Sequence, residues 1–96
     1  MAAGVLTVEL LLPQSTSLKD KRAVVRALLD GSRSRFGVAA AEVDHQDLRQ
    51  RATIAFAAVA ASYLHVEQVL DSVERLVWSR PELEVVEARR DWMESP

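Results

Sequence analysis

The chain contains no cysteine among its 96 residues, which excludes disulfides, thiolate metal sites and cysteine nucleophiles. It also lacks a long uninterrupted apolar run. The N-terminal stretch MAAGVLTVELLLPQ has no basic region ahead of its apolar residues, and Glu9 interrupts it. These features predict neither a signal peptide nor a membrane span, so we expect a cytoplasmic protein.

The size and composition are those of one ordinary globular domain. A chain of 96 residues has room for a single core and buries roughly 60–65% of its unfolded surface. Hydrophobic residues make up 49% and charged residues 27%, as in typical folded proteins. No linker, repeat or low-complexity segment divides the chain. We therefore expect one domain over residues 1–96.

Charge is distributed unevenly along the chain. The net charge of −2 argues against a protein that coats nucleic acid by charge alone. Residues 1–41 carry six basic and three acidic side chains, however, whereas residues 42–96 carry six basic and eleven acidic ones. All six bases of the first part lie between Lys19 and Arg35. This pattern predicts a locally basic surface on a mildly acidic protein.

Hydrophobic periodicity predicts six elements. Strands are indicated by alternation of apolar residues and the second helix by apolar residues at i, i+3, i+4 and i+7. Ser17 and Ser62 have the position and chemistry of helix N-caps. Two alanine-rich segments between the helices predict a hairpin, although their alanines also suit a helix. The predicted elements are a strand at 5–12, a helix at 17–35, strands at 38–44 and 51–60, a helix at 62–80 and a strand at 83–92.

The element order β-α-β-β-α-β predicts an α+β protein with a ferredoxin-like fold. In this fold, a four-stranded antiparallel sheet of order 4-1-3-2 carries two helices on one face. The other face of the sheet is left open.

The densest polar stretch, EVDHQDLRQRA at residues 42–52, falls at the predicted turn between the second and third strands. The ferredoxin-like topology places this turn at the same end of the molecule as the start of the first helix. One interpretation is a site that uses the helix N-terminus to bind anions. The other is a set of surface ion pairs and turn hydrogen bonds. We expect Asp44, His45 and Asp47 near Lys19, Asp20, Lys21 and Arg22, with Arg80 and Glu82 not far away. The whole polar cluster consists of Asp44, His45, Asp47, Arg49 and Arg51.

The same stretch gives little support for catalysis or metal binding. His45 has no second histidine nearby, and neighbours on a strand point to opposite faces, so Asp44 and His45 cannot both bind one metal ion unless the turn twists them together. Ser17 is better explained as a helix cap than as a nucleophile, and no nucleophile elbow frames it. The loop at residues 13–16 also lacks the arginine that acylphosphatases of this fold class carry there. We expect no enzyme activity, no cofactor and no metal.

The first helix carries a stripe of basic residues. Lys19, Arg22, Arg26 and Arg33 fall within a sector about 60° wide at 100° per residue. Asp30 is the one acid beside them. Such a stripe can follow nucleic-acid phosphates, and the alternative is a solvated helix face.

The open sheet face argues against base stacking. RNA-recognition domains of this topology stack bases on aromatic residues of the two central strands, and none occurs at these positions here. Small, mostly apolar residues are more typical of packing against a partner sheet, so we expect a homodimer with Glu9, Glu42, Glu87 and Arg89 as polar elements. In the alternative, long neighbouring side chains cover the face of a monomer. The expected open positions are Val5, Thr7, Glu9, Leu11, Thr53, Ala55, Ala57 and Val59.

Three stretches resemble the YlxP-like family of small uncharacterised bacterial proteins: GVLTVEL at 4–10, SLKDKRAVVR at 17–26 and AEVDHQDLRQRA at 41–52. The resemblance implies a ferredoxin-like architecture. Genes of this family often lie beside those of a translation initiation factor and of a ribosome-binding factor that acts in small-subunit maturation. The resemblance therefore implies a role near ribosome assembly or translation, and it supplies no catalytic residues.

Two functional hypotheses follow. The first is a non-enzymatic factor that binds ribosomal RNA or the small ribosomal subunit, with Asp44, His45 and Asp47 orienting the basic side chains or contacting a protein. The second is a homodimeric small-ligand or protein-interaction module with its site at a subunit boundary. In the first hypothesis the phosphate-binding residues are Lys19, Lys21, Arg22, Arg26 and Arg33.

Overall fold

The computed structural model describes residues 1–95, and Pro96, the last residue of the predicted domain, lies outside them. The predicted order of strands and helices is confirmed. The first strand begins three residues earlier than predicted, because Ala2 pairs with Ala60 on one side and with the backbone of Glu94 on the other. The elements are β1 (Ala2–Leu11), α1 (Leu18–Phe36), β2 (Ala39–Asp44), β3 (Arg51–Ala60), α2 (Tyr63–Trp78) and β4 (Glu84–Glu94).

The four strands form one antiparallel sheet in the order β2-β3-β1-β4, which is the predicted order read in reverse. Alternation along β1 buries Leu6, Val8 and Leu10 against the helices. Ile54 and Phe56 of β3 complete the centre of this core. The ferredoxin-like α+β fold is thereby confirmed, and the end of β1, the start of α1 and the β2–β3 turn lie together.

The two predicted N-caps are confirmed, whereas α2 ends at Trp78, two residues earlier than predicted. The Ser17 hydroxyl accepts a hydrogen bond from the Asp20 N–H at 3.0 Å, and Ser62 does the same for His65 at 3.3 Å. Gly37 ends α1 in the left-handed conformation with φ of 66° and donates its N–H to the Arg33 carbonyl. No helix within residues 1–95 has the length and apolarity required to cross a membrane.

The buried face of α1 contains two polar residues in addition to the apolar ones. Lys21 and Ser32 are fully buried together with Val25 and Leu28. These four positions share one helix stripe, since they are spaced by four, three and four residues. The buried stripe of α1 is therefore not purely apolar.

Strand register defines the open sheet face. Glu9 lies opposite Thr53 on one side and Glu87 on the other, all on the face that carries no helix. The prediction that Glu42 belongs to this face is wrong. Glu42 pairs with Ile54, which faces the core, and a bulge then shifts the register before Asp44.

Candidate functional site

A buried lysine joins the two polar segments at one end of the fold. The Lys21 ammonium lies 2.6 Å from the His45 carbonyl oxygen and 2.7 Å from Glu42 Oε2. It also contacts the Gln46 carbonyl at 3.4 Å. A buried ammonium requires such partners, because desolvation of an unpaired charge is costly. The expected meeting of the two segments is therefore observed, and Lys21 makes it.

This position removes Lys21 from the predicted phosphate-binding set. Its side chain is 0% exposed, so it has no surface that an RNA phosphate could contact. The prediction for Lys21 was wrong because the residue falls on the buried stripe of α1 rather than on the basic one. Its role is structural: it anchors the turn between β2 and β3.

The turn itself is held by its own polar groups. His45 has a left-handed backbone with φ of 63°, and its N–H donates to Asp44 Oδ1 at 2.8 Å. The His45 carbonyl also accepts the Leu48 N–H at 3.0 Å. Asp side chains commonly stabilise turns in this way. The Asp44 carboxylate is thus engaged by the turn backbone.

Gln50 provides a second link between the hairpin and the loop before α1. Its side-chain amide donates to the Ser15 carbonyl at 3.1 Å, and its own carbonyl accepts the Leu12 N–H at 2.9 Å. Beyond the polarity of the stretch, no pattern in the sequence indicates this role. Gln50 therefore holds this loop through both its side chain and its backbone carbonyl.

Three side chains lie close to the Glu9 carboxylate on the open sheet face. The Thr53 hydroxyl donates to Glu9 Oε2 at 2.8 Å. His45 Nε2 lies 3.8 Å and an Arg51 guanidinium nitrogen 3.9 Å from the same oxygen. The backbone of the polar stretch is thus held by Lys21 of α1, whereas the side chains of His45 and Arg51 lie on the open sheet face.

The remaining members of the polar cluster are more peripheral. Asp47 and Arg49 are exposed near the tip of the turn. Asp20 is occupied at the start of α1, where the Thr16 hydroxyl donates to its carboxylate at 2.6 Å. This hydrogen bond, with a further one from the Thr16 N–H, lowers the pKa of Asp20 below its ordinary value. Within residues 1–95, no group of three histidine or acidic side chains is arranged to hold a metal ion.

Most residues of the basic stripe line a groove between α1 and edge strand β2. Arg33 is fixed there, since it donates to the Ala40 carbonyl and lies 3.6 Å from Asp30. Arg22 and Arg26 are exposed, and neither forms an ion pair with the described part of the chain. Lys19 is exposed one turn before Arg22. The groove is lined by Arg22, Val25, Arg26, Leu29, Asp30, Arg33 and Glu42.

A separate charged cluster lies between α2 and β4. Arg90 donates to Asp71 at 2.8 Å and to Glu74 at 3.1 Å. Partial burial acts to lower the pKa of Arg90, but the hydrogen bonds to the two carboxylates outweigh it and raise the pKa above the ordinary value. The sequence did not predict this cluster, which joins a helix to an edge strand.

Residues 3–90 match the family described as "Protein of unknown function (DUF503)", and the chain belongs to this family. It is also 34% identical over 84 residues to a protein of Bacillus subtilis (strain 168) described as "Uncharacterized protein YlxP". That match covers 88% of this chain and 91% of the Bacillus protein. The resemblance to YlxP-like proteins is thereby confirmed.

Proposed function

We propose that the protein is a non-enzymatic accessory factor in ribosome assembly or translation that binds RNA through the basic surface of α1. This basic helix surface is defined as Lys19, Arg22, Arg26 and Arg33. The observation that carries the proposal is the pair Arg22 and Arg26, exposed beside the α1–β2 groove with no ion-pair partner in residues 1–95.

The spacing of these arginines suits a phosphate backbone. Arg22 and Arg26 are one helical turn apart, so their Cα atoms are about 6 Å apart along the axis and their side chains leave the same side of α1. A guanidinium binds phosphate oxygens through two parallel N–H groups, which gives both affinity and orientation. Arg33 adds a third guanidinium at the far end of the groove, already oriented by Ala40 and Asp30.

The groove also offers apolar contact beside the charges. Leu29, which is half-buried, also lines the groove. Its side chain can pack against ribose carbons while the guanidinium groups hold the phosphates. Such contacts position a nucleic-acid strand without reading its bases. The proposal therefore concerns recognition of a backbone rather than of a sequence.

A binding role is favoured over catalysis because the potentially reactive side chains at this end stabilise a helix cap and a turn. Ser17 caps α1, and the Ser15 hydroxyl donates to the Ser17 carbonyl at 3.1 Å. Asp44 and the His45 backbone stabilise a turn. These serine, aspartate and histidine groups are thus engaged in local structure.

The link to the ribosome rests on the resemblance to YlxP-like proteins, whose genes often accompany those of translation and small-subunit maturation factors. It is tested by sedimentation of cell lysate through a sucrose gradient at low and moderate salt. We expect the protein to migrate with the small subunit or its precursors and to leave these fractions as salt rises.

Two variants make this experiment specific. Arg22→Ala/Arg26→Ala removes the proposed contacts, whereas Gln68→Glu/Arg75→Ala produces the same change in net charge on the exposed surface of α2. The first variant should stay at the top of the gradient and the second should migrate like the wild type. A wild-type protein that stays at the top at both salt concentrations would contradict the ribosome assignment.

A further inference from the structure

The open sheet face is a broad surface of small side chains. Val5, Ala55 and Ala57 at its centre are half-buried, and no helix covers them. At the end away from the hairpin, Ala3 lies between Val59 and Met93, which are 72% and 60% exposed. Exposed apolar rows of this kind are uncommon on a surface that faces only water.

The dimensions of the face suit the packing of one sheet on another. Its 10, 6, 10 and 11 strand residues, at about 3.3 Å per residue and about 4.8 Å between strands, cover roughly 600 Å². Two such faces in contact bury about 1,200 Å², which reaches the range of stable protein interfaces. Small residues at the centre allow two sheets to pack face to face at the usual separation of about 10 Å.

The charges of the face identify the partner as a second copy. A two-fold interface uses the same patch on both subunits, so the patch must complement itself. This face carries acids of β1 and β4 and the bases Arg51 and Arg89, whereas a nucleic-acid surface would be uniformly basic. Glu9 and Glu87 are directly opposite each other across β1 and β4, a like-charge pair that destabilises an isolated sheet.

We infer that the protein forms a homodimer in which the two open sheet faces pack on each other. Arg89 is exposed and neighbours Glu87 on the same face, so a two-fold partner can present its Arg89 to the Glu9–Glu87 pair. Val59 and Met93 become buried at the end of the face. This inference is independent of RNA binding, because it concerns the side of the sheet opposite the helices.

The arrangement has a consequence for the basic helix surface. Since α1 lies on the helix side of the sheet, the dimer carries two copies of Arg22 and Arg26 on its opposite outer sides. Each dimer then presents two separate basic surfaces. Two linked sites can bind one long ligand more tightly than either does alone.

The test is sedimentation velocity of the full chain over a range of protein concentrations. We expect a dimer for the wild type and a shift to monomer for Ala57→Glu and Val59→Lys, with dissociation constants raised at least about tenfold. The matched controls are Ala23→Glu on α1 and Gln68→Lys on α2, which change exposed residues on the helix side and should remain dimeric.

Circular dichroism separates loss of association from loss of folding. Val59 is 72% exposed in a single chain, so its lysine variant should keep the fold even if Ala57→Glu does not. A wild type that is monomeric at every concentration would overturn the inference. A dimer that survives in a folded Val59→Lys variant would also overturn it, because the interface would then lie elsewhere.

Discussion

Lys21 of α1 and Glu42 of edge strand β2 form a buried ion pair with 2.7 Å between the ammonium and the carboxylate. The lysine side chain is fully buried, and the glutamate side chain is 15% exposed. Because the same ammonium holds the His45 carbonyl, the pair joins a helix, a strand and a turn. It therefore holds the β2–β3 turn against the start of α1.

Replacement of Lys21 should destabilise the protein strongly. Lys21→Met leaves the Glu42 carboxylate without its cation, and we expect a loss of about 3–5 kcal/mol in the free energy of unfolding. The double variant Lys21→Met/Glu42→Leu removes both charges and should recover a large part of that loss. Denaturant unfolding measures both variants. Equal stability of the single and double variants would contradict the ion-pair account.

The hydrogen bond from Thr53 to Glu9 should contribute measurable stability. Thr53→Val keeps the shape of the side chain but removes the donor, and we expect a cost of about 1–2 kcal/mol because a partly buried carboxylate loses a partner. Thr7→Val is a matched control, since Thr7 is similarly buried on the same face and has no side-chain hydrogen bond to the described residues. Urea unfolding of the two variants should show the difference; equal losses would argue against it.

Asp20 should titrate below the ordinary range of an aspartate. The Thr16 hydroxyl is the largest cause of its lowered pKa, so Thr16→Val should move the Asp20 pKa upward. A pKa that is lower in the folded state than in the unfolded state stabilises the protein above the unfolded pKa. This contribution disappears as the pH falls through the folded pKa. An NMR titration of the Asp20 carboxyl checks the shift, and identical pKa values in both proteins would count against it.

The two helix glycines should respond to alanine in opposite directions. Gly37 has φ of 66°, so Gly37→Ala forces a left-handed alanine and should cost about 1–2 kcal/mol. Gly31 lies inside α1, and a Cβ there would meet only the mobile end of Arg80 at 3.4 Å. Gly31→Ala should therefore stabilise the protein by about 0.5–1 kcal/mol. Thermal unfolding compares them, and a stabilised Gly37→Ala variant would be inconsistent with the observed cap.

Much of the fold could be predicted because periodicity and caps are local. Alternation identified β1, and Ser17 and Ser62 were correctly predicted as N-caps. Strand register is not local, however. The side of the sheet on which Glu42 lies depends on its pairing with Ile54, which the sequence does not encode in any short pattern.

The site was predicted less completely for a related reason. Lysine is rarely buried, so Lys21 was grouped with the exposed bases although its spacing from Val25 and Leu28 placed it on the buried stripe. That spacing is the signal that could have identified it. The left-handed backbone at His45 had no comparable signal, because it depends on the turn that Lys21 and Asp44 hold together.

The most direct test of the central claim is fluorescence anisotropy of a labelled single-stranded RNA titrated with the protein at several salt concentrations. We predict that the logarithm of the association constant decreases linearly with the logarithm of the salt concentration. Arg22→Ala/Arg26→Ala should bind more weakly and show a slope smaller by roughly 1–2, because two phosphate contacts are lost. The control Gln68→Glu/Arg75→Ala should bind as the wild type does. Binding that is absent, independent of salt or equal in the two double variants would contradict the assignment of RNA binding to the basic helix surface.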